Sequence, residues 1–170
     1  GEVVLLSETA VSAECPSLPR VGLAFELSAD LGAVGYYGRG PHENYPDRCD
    51  GARLAEFGAS VDALLTPYLV PSECGYRTGA RWVELTDGSG AGVRVAAAGA
   101  PFGFSALRHD AAALDAAAHP HELQGGDGPV HLCVDAAMMG VGGDTGWSRS
   151  VLPAYTVPAG TYRHALSLRA

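Results

Sequence analysis

Hydrolysis of a glycosidic bond needs two acids flanking that bond, one protonated and one ionised. The chain offers Glu43, Asp47, Glu73, Glu84, Asp135 and Asp144 for such a role. Their spacing forces no two of them onto a common cleft. Acids beside arginine, Asp47 before Arg48 and Glu73 near Arg77, read as structural ion pairs rather than as catalysts. The histidines offer a second chemistry, with His119 and His121 straddling Pro120 and His42 next to Glu43. A metal site would need convergent further ligands, and His-Pro-His beyond a helix end reads as a solvated turn. Ser72-Glu73-Cys74 lacks the G-x-S-x-G elbow of a serine nucleophile, so Cys74 is expected to be inert. The segment Gly140-Val141-Gly142-Gly143-Asp144-Thr145-Gly146-Trp147-Ser148 holds four glycines, which free the backbone for conformations that side chains forbid. Trp147 could present a flat apolar ring to the C–H face of a sugar, or it could cap a sandwich core. Trp82, in Arg81-Trp82-Val83-Glu84-Leu85, is expected in the core by alternation.

The elements that must position these residues are mostly short strands. Val21, Leu23, Phe25 and Leu27 alternate with Gly22, Ala24, Glu26 and Ser28, the pattern of a half-buried strand. Similar segments recur at Glu2 to Leu6, Gly32 to Tyr37, Arg81 to Thr86, Gly92 to Ala97, Phe102 to Leu107, Val130 to Ala137 and Thr161 to Leu168. Asp87-Gly88-Ser89-Gly90 is a hairpin signal, and Gly125-Gly126-Asp127-Gly128-Pro129 marks another turn. Many short strands joined by polar turns predict an all-β, antiparallel β-sandwich. One short helix is expected near 110–118, where Asp110 is placed to cap an Ala-rich run that ends at Pro120. The stretch Gly38 to Pro67 reads as long and irregular, organised by its own side chains. No internal repeat or linker divides the 170 residues, the size of a single domain.

Composition excludes several classes of function. Eleven arginines and no lysine stand against nineteen acids, a net charge of -8, which repels phosphate backbones and anionic lipid surfaces. Nucleic acid and membrane are therefore not expected partners, and no apolar run approaches the ~18 residues of a membrane span. Cys15, Cys49, Cys74 and Cys133 lie too far apart for a zinc knuckle and are expected as reduced, buried thiols. The lack of a recognisable signal peptide fits a cytoplasmic protein, and Gly1 suggests a piece excised from something longer.

The motifs together resemble a known family. Arg20-Val21-Gly22-Leu23 is followed by Tyr37-Gly38-Arg39-Gly40-Pro41-His42-Glu43-Asn44-Tyr45-Pro46-Asp47-Arg48. Then come Thr66-Pro67-Tyr68, Pro71-Ser72-Glu73-Cys74-Gly75-Tyr76-Arg77, Arg81-Trp82-Val83, the His119-to-Leu123 turn and the glycine-rich loop ending in Trp147-Ser148. This series is similar to the C-terminal, small-chain domain of the large multidomain β-galactosidases, over nearly the whole chain. Cys74 departs from the usual Asn of P-x-E-N-G, and Gly146 from the usual Ser or Asp.

The resemblance implies a galactose-mutarotase-like supersandwich, truncated on its N-terminal side. It implies the last domain of a retaining enzyme that releases terminal β-linked galactose, as from lactose. The catalytic glutamates, with magnesium and sodium sites, then belong to a separate TIM barrel, so this chain holds no catalytic residue, no cofactor and no metal. The partners implied are the remaining domains of a homo-oligomeric parent and its galactoside substrate. Trp147 is the residue implied to reach the barrel's active site and stack on the sugar, mainly beyond the galactose subsite. Arg39, Glu43, Asp47 and Arg48 match a motif read as an ion-paired network pinning the long loop. Two rivals stand beside this: a mutarotase-like epimerase using His42 with Glu43 or His109 with Asp135, and a carbohydrate-binding module.

Overall fold

The computed structural model describes the chain except residues 124–125, 144–146 and 149. Two antiparallel sheets form a sandwich. The first has six strands in the order β1 (Glu2–Val11), β10 (Gly160–Arg169), β7 (Gly92–Ala97), β6 (Trp82–Thr86), β3 (Ala33–Gly40) and β4 (Arg53–Ser60). The second has four: β2 (Arg20–Leu27), β9 (Val130–Met138), β8 (Phe102–Leu107) and β5 (Arg77–Ala80). Alternation builds the core between them. Val34 and Tyr36 of β3, Val83 and Leu85 of β6, Phe102, Phe104 and Ala106 of β8, and Val130, Leu132 and Val134 of β9 all point inward. Tyr36 sits among the rings of Phe57 and Phe104, at centroid distances of 5.3 and 5.1 Å, the tilted geometry aromatic quadrupoles favour.

All eight expected strands form, and the one α-helix among the described residues, α1 (Ala111–Ala116), lies inside 110–118. Asp110 caps it as anticipated, its Oδ1 accepting the Ala113 N–H at 2.7 Å. Asp87 likewise closes the β6–β7 hairpin, its Oδ1 accepting the N–H groups of Ser89 and Ala91. The other expected turn begins at Gly125, outside the described residues.

Three expectations need correction. The stretch Gly38 to Pro67 is not irregular throughout: β4 runs through it and pairs with β3 over eight positions, Ala33↔Ser60 to Gly40↔Arg53. Its inward face is Ala55, Phe57 and Ala59, two small residues around one ring, so its hydrophobic contrast is low. Trp82 is half-buried on the outer face of its sheet, because Val83 and Leu85 take the core positions; the Arg94 guanidinium lies 3.9 Å from its ring centroid. The four cysteines are all free, but only Cys74 is buried. Cys15 is exposed on the β1–β2 connection, and Cys49 and Cys133 are half-buried. No helix among the described residues is long and apolar enough to cross a membrane.

Candidate functional site

Residues 41–52 leave β3 and form a strap that returns at β4. Asn44, wholly buried, ties it down: its side-chain N–H groups donate to the Arg39 and His42 carbonyls, and its Oδ1 accepts from the Thr78 N–H and hydroxyl. Arg39 donates to the carbonyls of Cys49 and Ala52 at 3.3 and 3.1 Å. Tyr45 stacks on Tyr76 with centroids 5.4 Å apart.

Glu43 is the hub of the strap. Its Oε2 accepts from the Thr66 hydroxyl and the Gly75 N–H, both at 2.7 Å, while its Oε1 accepts from Arg48 and from the Tyr68 hydroxyl. Burial alone would raise its pKa, but these donors and the Arg48 charge more than reverse that and hold the carboxyl below its usual range. One member of the expected network, Glu43–Arg48, is thus an ion pair. Asp47 does not pair with Arg48. It accepts instead from the Gly142 N–H at 2.7 Å, so a strap carboxylate holds the glycine-rich loop.

That loop follows β9. The Met139 N–H donates to the Pro19 carbonyl and the Gly140 N–H to the Tyr155 carbonyl, each at 2.8 Å. Gly142 and Gly143 then take φ of +72° and +88°, which side chains disfavour. Trp147 stands 98% exposed, not capping the core. Asp144, among the candidate acids, lies outside the described residues, as do Thr145 and Gly146.

Glu73 and Asp135 form a second cluster around Arg20. Arg20 Nη2 meets Asp135 Oδ2 at 2.6 Å, and Arg20 Nη1 meets Glu73 Oε2 at 3.5 Å. The Tyr45 hydroxyl donates to Glu73 at 3.2 Å. Burial pushes both carboxyls up, and the arginine offsets it only in part. For Arg20 burial works downward, and Asp135 overturns it, raising its pKa. The expected Glu73–Arg77 pairing is absent: Arg77 is buried and donates to the carbonyls of Leu64, Gly75 and Pro41. Glu84 pairs with Arg94 at 3.4 Å on the outer sheet face. Nothing in the sequence marks the Arg20–Asp135 pair, which joins residues 115 apart.

The cluster edges a cleft of about 430 Å³ over β2, β8, β9 and α1, with His109 and His131 on its walls. Asp135 is not part of that lining, and its carboxylate is taken by Arg20. His42 is exposed beside a Glu43 already saturated with donors. His119 and His121 stack at 5.4 Å, and His119 Nδ1 lies 3.1 Å from Glu122. Among the described residues no three His, Cys, Asp or Glu side chains are grouped to hold a metal. Sequence reasoning missed Asn44 as the anchor of the strap, although its place beside Glu43 in the motif was the available signal.

A two-sheet antiparallel sandwich with an exposed tryptophan on a tethered glycine loop is thus the class of the molecule. A family model described as "Beta galactosidase small chain" matches residues 3–168. A beta-galactosidase of Vibrio cholerae serotype O1 is 41% identical over 169 residues, 99% of this chain and 16% of that protein. One from Priestia megaterium is 37% identical over 171 residues, also 99% of this chain and 16% of that protein. One from Aeromonas hydrophila is 39% identical over 166 residues, 95% of this chain and 15% of that protein. The chain belongs to the β-galactosidase small-chain family. It spans about 16% of the length of these relatives.

Proposed function

We propose that the chain is the accessory C-terminal sandwich of a cytoplasmic, homo-oligomeric retaining β-galactosidase, silent by itself, with Trp147 forming part of the wall beyond the galactose subsite. The catalytic glutamates and the magnesium and sodium of such an enzyme are assigned to a separate barrel, and no step here runs through a metal. The observation that carries the reading is the 98% exposure of Trp147 on a loop whose rising limb is bonded at Met139, Gly140 and Gly142. An indole held away from its own core leaves a large apolar face in water, a cost recovered when a sugar's C–H face covers it. The acids support the same reading, because Glu43, Glu73 and Asp135 are each engaged by cations or hydroxyls. The epimerase alternative loses support on the same ground.

Replacing Trp147 in the complete parent tests this. Trp147→Ala is expected to raise KM for lactose roughly tenfold, the worth of one good stacking contact. Trp147→Phe, which keeps a ring, should recover most of the loss. An unchanged KM in the alanine variant would refute the stacking role.

A further inference from the structure

The carboxylate of Asp47 does more than the ion-paired reading of its motif accounts for. It sits in a tight turn, Tyr45 to Arg48, closed by the Arg48 N–H on the Tyr45 carbonyl at 2.9 Å. Pro46 at the second position presets the backbone of that turn. The turn is fixed from below by the Tyr45–Tyr76 stack and by the wholly buried Asn44. From this base Asp47 reaches a residue 95 positions away, the Gly142 N–H. Two backbone bonds already hold the limb, at Met139 and Gly140. The Asp47 bond adds a fixed point at Gly142, two residues nearer Trp147 than Gly140. A side chain at Gly140 would collide with the Asp47 carboxylate, so the close approach requires glycine there. Glycine has the most backbone freedom to lose, which makes a charge-assisted bond at Gly142 effective in restricting it.

We propose that Asp47 is the positioning residue for Trp147: by fixing Gly142 it sets where the indole stands relative to the sugar beyond galactose. The inference rests on the stacking role proposed above. Its test uses the complete parent enzyme, with hydrogen exchange at amides 140–143 read beside the kinetics. Asp47→Ala is expected to speed that exchange by roughly tenfold or more, as expected for losing a charge-assisted hydrogen bond. It should also raise KM for lactose while kcat holds, and add nothing once Trp147 is alanine. Asp47→Asn keeps an acceptor oxygen without the charge and should restore both readouts in part. If the alanine variant does not fold, Asp47→Glu serves, since it keeps the charge but misplaces the carboxylate and should behave as the alanine variant was expected to.

Unchanged exchange overturns the proposal, as does a KM penalty that persists in full in the Trp147→Ala background. A Trp147→Ala enzyme with normal KM sinks the stacking reading, and the exchange comparison then decides by itself whether Asp47 fixes the loop.

Discussion

Glu43 and Asp135 are both withdrawn from water and both touch an arginine, yet their carboxyls shift in opposite directions. Glu43 lies in the strap and collects two hydroxyls and a backbone N–H besides Arg48. Asp135 lies mid-strand, 2% exposed, and depends on Arg20, with the Tyr76 hydroxyl beside it. Asp135 is the more deeply buried of the two. The Arg20 charge and the hydrogen bonds from Arg20 and Tyr76 therefore do not repay its desolvation, whereas the donors around Glu43 more than repay a smaller one. Strand geometry adds to the difference. The backbone groups around Asp135 are spent on the β2 and β8 ladders, while loop backbone is free to turn N–H groups toward Glu43.

The largest effect expected from breaking this contrast is at Arg20. Arg20→Ala strands a buried carboxylate and should cost about 3–5 kcal/mol of stability by urea unfolding at neutral pH. Because the Asp135 pKa is raised, its ionised form is the disfavoured one, and losing Arg20 disfavours it further. The gap between wild type and variant should therefore start to close above the ordinary carboxylate value of 3.8 as pH falls and Asp135 is protonated.

Glu43→Ala comes next, at ~1–3 kcal/mol, since it orphans donors that could partly return to water. Here the sign is reversed. A lowered pKa means stability present above 4.5 and lost only as pH falls through the lower folded value. The wild-type advantage should thus persist below 4.5 before it disappears. Unfolding curves in which both variants lose their deficit over the same pH window would erase the distinction.

Much of the sandwich was readable because alternation and turn chemistry agreed, as at Val21 to Leu27 and at Asp110. β4 was not, because Ala55 and Ala59 give its inward face little contrast. Trp82 was misplaced because alternation fixes which residues share a face but not which face is inward. Val83 and Leu85 settled that by packing against the opposite sheet. At the site, the motif pointed to the strap but not to its partners. Arg20 with Asp135, and Asp47 with Gly142, are separated by 115 and 95 residues, and only the fold brings such residues together.

The exposed indole is the centre of the account, and inhibition of the parent enzyme bearing Trp147→Ala tests it most directly. Galactose and a disaccharide galactoside would be compared as competitive inhibitors. Weaker binding of the disaccharide and unaltered binding of galactose are expected, because the ring contributes beyond the galactose subsite. Equal binding of both by variant and wild type, or an equal loss for both, would contradict it.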